Sequence, residues 1–139
     1  MKTYTLLLSL LVFFTTSCGS NDATSEAARP PVLEAAEDVD ANKFESLIDG
    51  SKVILDVRTP GEYAGGHIEG AQLINISSPD FDQKIEKLDK NNTSYLVYCA
   101  VGGRSRRAMQ KMKAAGFKSV YNLATGVNGW KAAGKKLVK

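Results

Sequence analysis

The chain has 139 residues, which is enough for one domain with a single hydrophobic core. Its composition, with 43% hydrophobic and 24% charged residues, is that of a globular protein and excludes a disordered or fibrous chain. The formal net charge is only +3, and the basic residues are scattered without interleaved aromatic residues. This distribution argues against a nucleic-acid-binding surface.

The N-terminal segment over 1–17 has the pattern of an export signal. Lys2 provides a short positive region, and an apolar stretch follows over 4–14. As a helix this stretch would span about 16 Å, well short of the roughly 30 Å hydrocarbon core of a membrane. We therefore expect residues 1–17 to be a signal peptide and not a stable membrane span.

The signal ends at Cys18, which follows small residues in the manner of the lipobox of bacterial lipoproteins. This resemblance implies cleavage before Cys18 and a lipid on its sulfur, so that the protein is anchored to a bacterial membrane facing the periplasm or the cell surface. Thr15 stands where a lipobox usually has leucine. The alternative is ordinary signal cleavage near 17–20, with a free or disulfide-bonded Cys18. We interpret 18–36 as a flexible tether and 37–139 as the folded domain.

The first half of the domain alternates helix and strand signals. A helix is predicted over 41–49, and 53–57 is a β-branched run typical of a strand buried on both faces. Thr59 and Glu62 match a capping box with Pro60 at the first helical position, which predicts a short helix.

The second half continues the alternation. Strands are predicted over 71–76, 95–98 and 119–123, helices after 78 and over 105–115, and a final helical turn from a Thr125 cap to Trp130. No hairpin turn signal joins two strands. The pattern predicts an α/β fold with an open, mostly parallel sheet of about five strands and helices on both faces.

Cys99 lies where ligands of such sheets bind, beyond the carboxyl end of a strand. It directly follows the apolar run over 95–98 and precedes a glycine-bearing loop and a basic helix. The loop N–H groups and the helix start favour negative charge on the sulfur. A thiol there loses its proton easily, with a pKa that falls from about 8.5 to roughly 3.5–7.5. We therefore interpret Cys99 as a nucleophile and not as a structural core cysteine.

The segment that begins at Cys99 resembles the active-site loop of the rhodanese family of sulfurtransferases. Residues 56–71 resemble the first signature of that family, and the similarity extends over about 39–134. Residues that resemble the second signature are Leu123, Gly126, Trp130 and Gly134. Thr125 departs from the family pattern, which often has glycine there, and the stretch after Ala71 is one residue longer than usual.

The resemblance implies a two-step covalent reaction. Cys99 takes a sulfane sulfur from an anionic donor such as thiosulfate, forms a persulfide, and passes the sulfur to cyanide or a thiol. The alternative is a carrier that relays persulfide between partner proteins. Arg104 is expected to neutralise the donor. The candidate substrate-binding residues are Ala100, Val101, Gly102, Gly103, Arg104, Ser105 and Arg58.

The length of the loop bears on the reaction type. From Cys99 to Arg104 the spacing is Cys-x4-Arg, whereas phosphatases of the same fold use Cys-x5-Arg to hold a tetrahedral oxyanion. The residue six positions after Cys99 is Ser105, which we expect to cap the following helix and to face the sulfur. The shorter loop disfavours phosphate and arsenate chemistry.

Other polar residues near the motif are assigned structural roles. Arg58 either adds positive potential near the site or pairs with Asp56 and loop backbone, and we favour the pairing. His67 is interpreted as a loop anchor, because a thiolate needs no general base. Glu62 is interpreted as a helix cap and Trp130 as a core residue. The sequence contains no metal cluster, phosphate-binding loop or dinucleotide fingerprint, so we expect no cofactor. The size of the domain is compatible with a monomer.

Overall fold

The computed structural model describes residues 35–139. The predicted signal peptide over 1–17, the lipidation site Cys18 and most of the predicted tether lie outside the described residues. Within 35–139, none of the helices has the length and the apolar character needed to cross a membrane.

Five strands and five helices alternate along the described part of the chain. The strands are β1 (Ala35–Val39), β2 (Val53–Asp56), β3 (Gln72–Leu73), β4 (Ser94–Tyr98) and β5 (Ser119–Leu123). The helices are α1 (Ala41–Ser46), α2 (Pro60–Ala64), α3 (Phe81–Glu86), α4 (Gly103–Ala114) and α5 (Gly126–Ala132).

All five strands form one parallel sheet in the order β1-β5-β4-β2-β3. Strand β4 lies in the centre, paired with β5 on one side and with β2 on the other. Because β4 ends at Tyr98, the next residue, Cys99, emerges at the middle of the carboxyl edge of the sheet. The predicted α/β fold is confirmed.

Each face of the sheet has its own hydrophobic core. Alternate residues of β4 point to opposite faces, so Val97 packs with α3 and α4, whereas Leu96 packs with α1 and α5. Fully buried members of the first cluster include Val97, Met112, Val120 and Ala108, and those of the second include Phe44, Leu96, Tyr98 and Leu123. Both faces of the central strand are therefore buried, as its continuous apolar sequence predicts.

Strand β1 was not predicted from the sequence. It begins at Ala35, shortly before the predicted domain start at 37, and three of its five residues are exposed. It pairs only with β5, so it is an edge strand. An exposed edge strand needs no hydrophobic alternation, which explains why the pattern missed it.

Strand β3 is much shorter than the predicted strand over 71–76. The chain beyond it stays beside β2 through single backbone hydrogen bonds, from Ile74 N–H to Asp56 O at 2.9 Å and from Ile76 N–H to Val57 O at 3.1 Å. Beyond Leu73 the segment forms no regular ladder and enters a turn at Ile76, and β3 is the edge strand of the sheet in the described part of the chain.

Candidate active site

The sulfur of Cys99 lies in a cradle formed by its own loop. Cys99 is fully buried. The backbone N–H of Gly102 donates to Sγ at 3.2 Å, and the hydroxyl of Ser105 lies 3.4 Å from Sγ. The same hydroxyl lies 3.1 Å from the carbonyl oxygen of Gly102. Its single proton can serve one acceptor at a time, and a thiolate is the stronger of the two.

This cradle changes the acidity of the thiol. Burial raises the pKa of Cys99, but hydrogen bonds from the Ser105 hydroxyl and from loop N–H groups lower it by more. The contributing N–H groups belong to Ser105, Val101 and Gly102. The pKa of Cys99 therefore lies below its ordinary value, so a larger fraction of the sulfur is thiolate at neutral pH than in a free cysteine.

The loop curls tightly because two glycines bring backbone segments into contact. Gly102 has a φ of +91°, and a Cβ there would lie 1.9 Å from the carbonyl oxygen of Ala124. Gly126 has a φ of +60°, and a Cβ there would lie 2.4 Å from the carbonyl carbon of Ala100. A side chain at either position would clash with backbone atoms, and relieving the clash would require the backbone to shift.

Hydrogen bonds from the start of α5 fix the other side of the loop. The N–H of Val127 donates to the carbonyl oxygen of Cys99 at 2.8 Å, and the N–H of Asn128 donates to that of Ala100 at 3.1 Å. These bonds satisfy the carbonyl groups of Cys99 and Ala100 and hold the loop against α5, while the N–H of Gly102 donates to the sulfur. The arrangement provides hydrogen-bond donors for a negative charge on the sulfur.

The helix caps on either side of the loop differ from the predictions. Helix α4 begins at Gly103 with Gly102 as its N-cap residue, so Ser105 lies in the first turn and is not the cap. The left-handed φ of Gly102 lets the chain enter the helix earlier than the sequence pattern suggested. Thr125 occupies the N-cap position of α5, but its side chain makes no capping hydrogen bond.

Arg104 projects from the first turn of α4 toward α2. Its guanidinium contacts the carboxylate of Glu62 through two hydrogen bonds of 2.9 and 2.6 Å. The hydrogen bonds that Arg104 donates to Glu62 raise the pKa of Arg104, and the negative charge of a Cys99 thiolate raises it further. Arg104 is thus part of the site while being held by a partner carboxylate.

Arg58 is engaged by groups other than the sulfur. Its guanidinium forms a buried salt bridge with Asp56 at 2.6 Å and donates to the carbonyl oxygen of Gly66 at 2.8 Å. It also lies over the ring of Tyr98, 5.5 Å from the centroid. These contacts correspond to the favoured interpretation, in which Arg58 pairs with Asp56 and loop backbone.

His67 and Trp130 make contacts that fit structural roles. The ring of His67 stacks on Tyr63 with centroids 3.8 Å apart, and its backbone forms an isolated bridge with Val138. Trp130 is buried in the second core cluster, and its indole N–H donates to the carbonyl oxygen of Lys136 at 2.9 Å. Both residues therefore attach the C-terminal segment to the domain.

Two residues of the site have roles that the sequence did not reveal. Glu62 forms the predicted capping box with Thr59, but it also holds Arg104. Asn122 lies buried near the end of β5, where its amide donates to Asp38 at 2.6 Å and lies 3.5 Å from the carbonyl oxygen of Gly102. The available signal for Asn122 was a polar residue between Tyr121 and Leu123 in a predicted strand.

The fold and the site together define an α/β protein with an acidified, buried thiol at the carboxyl edge of a parallel sheet. A family model described as the Rhodanese-like domain matches residues 40–133. The chain belongs to the rhodanese-like domain family. Within 35–139, no group of three His, Cys, Asp or Glu side chains is arranged to hold a metal ion.

Named relatives and solved structures agree with this assignment. Thiosulfate sulfurtransferase 18 of Arabidopsis thaliana is 31% identical over 108 residues, covering 70% of this chain and 79% of its own. A Bacillus subtilis protein named as a sulfur carrier is 31% identical over 112 residues, covering 81% of this chain and 57% of its own. The crystal structure of a rhodanese-related protein from Thermoplasma volcanium has a TM-score of 0.65 and 28% identity, covering 73% of this chain and 97% of its own.

Proposed function

We propose that the protein is a sulfurtransferase that works through a persulfide on Cys99. The observation that carries this proposal is the geometry at the buried Cys99 sulfur, where the N–H of Gly102 and the hydroxyl of Ser105 lie 3.2 and 3.4 Å away. The loop from Cys99 to Arg104 is one residue shorter than the Cys-x5-Arg loop that holds a tetrahedral oxyanion in phosphatases, which restricts the size of the group that its N–H groups can surround. This restriction favours the transfer of a single sulfur atom over the transfer of a phosphoryl group.

The reaction has two nucleophilic steps. The Cys99 thiolate attacks the sulfane sulfur of the donor, and the bond between that sulfur and the rest of the donor breaks. When the donor is thiosulfate, the leaving group is sulfite. An acceptor, such as cyanide or a thiol, then attacks the outer sulfur and regenerates the thiolate. The N–H of Gly102 and the hydroxyl of Ser105 stabilise negative charge on the sulfur, while Arg104 offsets the charge of the donor.

A second candidate function is a persulfide carrier that receives sulfur from one protein and delivers it to another. Val101, at the tip of the Cys99 loop, has 66% of its surface exposed and is the most exposed of the large hydrophobic residues in the described part of the chain. An apolar side chain at this position can contact a partner protein during transfer. The similarity to a Bacillus subtilis protein named as a sulfur carrier also supports this candidate.

Formation of a persulfide on Cys99 can be tested directly by intact mass. The full chain is incubated with thiosulfate, its intact mass is measured, and cyanide is then added. We expect Cys99 to gain the mass of one sulfur atom and to lose it as thiocyanate, whereas Cys99→Ser gains none. An unmodified thiol after thiosulfate, together with rapid sulfur exchange with a persulfidated protein, would favour the carrier. Absence of both reactions would overturn a sulfur-transfer function.

We further propose that the protein is exported and anchored by a lipid on Cys18. The support is the sequence pattern alone: an apolar stretch over 4–14 followed by small residues and Cys18. Metabolic labelling with a radioactive fatty acid in a bacterial host tests the proposal. We expect label in the wild type and none in Cys18→Ser, and an unlabelled wild type would contradict the anchor.

A further inference from the structure

A buried asparagine connects the edge strand β1 to the loop that holds the sulfur. Asp38 of β1 pairs in register with Asn122 of β5. Both side chains lie on the α4 face of the sheet, because Val120, two residues before Asn122 on the same face, packs with α4. The amide nitrogen of Asn122 donates to the carboxylate of Asp38 at 2.6 Å and lies 3.5 Å from the carbonyl oxygen of Gly102. One side-chain nitrogen therefore links β1 to the residue that donates to the sulfur.

Hydrophobic burial alone does not explain an asparagine at this position. Asn122 is fully buried, and its Oδ1 atom has no hydrogen-bond partner among the described residues. An unpartnered buried amide oxygen is destabilising, and an apolar side chain would avoid that cost. The favourable contacts of the amide are those of its nitrogen, with Asp38 and with Gly102.

The backbone beyond Asn122 also reaches Gly102. A Cβ on Gly102 would lie 1.9 Å from the carbonyl oxygen of Ala124, so the two backbone segments are in close contact. The N–H of Ala124 donates to the carbonyl oxygen of Val39 at 2.9 Å, and Val39 follows Asp38 at the end of β1. Strand β1 therefore holds both of the residues through which the end of β5 contacts Gly102.

Helix α4 holds the carboxylate of Asp38 from the other side. The guanidinium of Arg106 forms a salt bridge with Asp38, with nitrogen to oxygen distances of 2.5 and 3.3 Å. The backbone N–H of Arg106 donates to the carbonyl oxygen of Gly102 at 2.9 Å. Hydrogen bonds from Arg106 and Asn122 hold the pKa of Asp38 below its ordinary value. At neutral pH Asp38 is therefore a carboxylate, which accepts hydrogen bonds and orients the nitrogen of Asn122 toward itself.

We propose that Asn122, oriented by Asp38, is a positioning residue that keeps Gly102 in the conformation that directs its N–H to the sulfur of Cys99. That N–H lies 3.2 Å from the sulfur, so a small displacement of Gly102 weakens the hydrogen bond. Asn122 and Asp38 act through Gly102 and not by contact with the sulfur. The inference rests on the proposed function, in which this hydrogen bond stabilises negative charge on Cys99.

The pH dependence of Cys99 alkylation by iodoacetamide tests this role. The full chain is alkylated over a range of pH, and peptide mapping distinguishes Cys99 from Cys18. The quantity compared is the pH at which the rate is half of its maximum, because a loosened loop also changes the maximum itself. We expect Asn122→Ala to raise this midpoint and to slow alkylation at neutral pH by about three- to tenfold, as for a weakened hydrogen bond to a charged group. The variant leaves Arg104 and all other charged side chains in place.

A matched truncation on the same strand separates positioning from stability. Val120 is fully buried, like Asn122, but it lies near the start of β5 and is in register with Tyr95 of β4, away from the Cys99 end of that strand. Val120→Ala should therefore destabilise the domain and keep the wild-type midpoint. An upward shift in Val120→Ala equal to that in Asn122→Ala would overturn the inference, because loss of stability would then explain both.

Substitutions of Asp38 test the same contact from its other end. The side chain of Asp38 is about one-third exposed, so its replacement is tolerated more easily than that of Asn122. Loss of a negative charge would by itself lower the pKa of Cys99, whereas loss of the orienting contact should raise it. We expect Asp38→Ala to raise the midpoint. Asp38→Asn keeps an oxygen acceptor for Asn122 and should lie between Asp38→Ala and the wild type.

The direction of the shift decides the outcome. An unchanged or lower midpoint in either Asn122→Ala or Asp38→Ala would overturn the inference. Alkylation requires no sulfur donor, so these midpoints are independent of the thiosulfate experiment. A wild type that accepts sulfur from no donor would overturn the proposed function, while the midpoints would still decide whether Asn122 positions the N–H of Gly102.

Discussion

Arg104 and Glu62 form a bidentate contact that joins the Cys99 loop to helix α2, with nitrogen to oxygen distances of 2.9 and 2.6 Å. The same carboxylate also accepts hydrogen bonds from the N–H of Thr59 at 3.0 Å and from its hydroxyl at 2.8 Å. The hydrogen bond from Arg104 is the main reason that the pKa of Glu62 is lowered to about 2, although partial burial opposes the shift. The carboxylate of Glu62 therefore completes the capping box of α2 and also orients the guanidinium of Arg104.

The contact between Arg104 and Glu62 predicts that the wild type is more stable than Glu62→Gln by an amount that depends on pH. Because the pKa of Glu62 falls from 4.5 to about 2 on folding, its contribution is complete above pH 4.5 and is lost as the pH falls toward 2. Glu62→Gln should therefore lower the free energy of unfolding by roughly 1 kcal/mol at neutral pH, a small value because the pair is partly exposed to solvent. Urea unfolding of both proteins from pH 7 to pH 2 should show the difference shrinking. A difference independent of pH would contradict this account.

The Ser105 hydroxyl provides a second prediction. It is the largest of the hydrogen-bonding contributions that lower the pKa of Cys99, so Ser105→Ala should raise that pKa. The thiolate fraction rises as the pH passes upward through the pKa, and the variant should need a higher pH to reach its full rate of alkylation. Loss of one hydrogen bond to a charged sulfur should slow iodoacetamide alkylation of Cys99 by roughly tenfold at neutral pH.

A conservative control separates this electronic effect from packing. Ser105→Thr keeps the hydroxyl and should stay closer to the wild-type pH profile than Ser105→Ala does. The measurement is the pH dependence of alkylation of Cys99, followed by intact mass so that the modified residue is identified. Identical profiles for the wild type and the alanine variant would show that the hydroxyl does not stabilise the thiolate.

The sequence predicted the central features of the fold because they have local signals. The apolar run over 95–98 identified the central strand, and the capping box of Thr59 and Glu62 located the start of α2. These features depend on hydrophobic periodicity and on side chains a few residues apart, which a single sequence displays directly.

The contacts that complete the site have no local signal. Glu62 and Arg104 are 42 positions apart, and only the folded sheet brings them together. The left-handed φ of Gly102 and its close approach to Ala124 also depend on the packing of β5 against the loop. Sequence patterns therefore identified Cys99 as the candidate nucleophile, but they did not predict the contacts that hold its loop and Arg104.

The buried ion pair between Asp56 and Arg58 leads to a third prediction. Both side chains are almost completely buried, so removing one charge leaves the other without a partner. Asp56→Asn should destabilise the domain by about 3–5 kcal/mol, measured by urea unfolding. The exposed pair of Lys111 and Asp82 provides the control, and Asp82→Asn should change the unfolding midpoint little. Similar effects of the two substitutions would contradict the structural role assigned to Arg58.

Adjacent glycines in the Cys99 loop give the fourth prediction. Gly102 has a φ of +91° and would place a Cβ 1.9 Å from the carbonyl oxygen of Ala124, whereas a Cβ at Gly103 would meet no heavy atom within 4 Å. Gly102→Ala must therefore distort the loop or separate it from β5. Gly103 is the first residue of α4, so Gly103→Ala can be accommodated without backbone strain.

Thermal unfolding followed by circular dichroism, together with alkylation of Cys99, distinguishes the two variants. Gly102→Ala should lower the free energy of unfolding by about 1–3 kcal/mol, because alanine is strained in the left-handed conformation and its Cβ would clash with backbone atoms. It should also react more slowly at neutral pH, because the N–H of Gly102 no longer points at the sulfur. Gly103→Ala should keep its stability or gain up to about 1 kcal/mol, because alanine restricts the unfolded chain more than glycine does. Equal stability and equal reactivity of the two variants would contradict the conclusion that the close approach of Gly102 to Ala124 determines the conformation of the Cys99 loop.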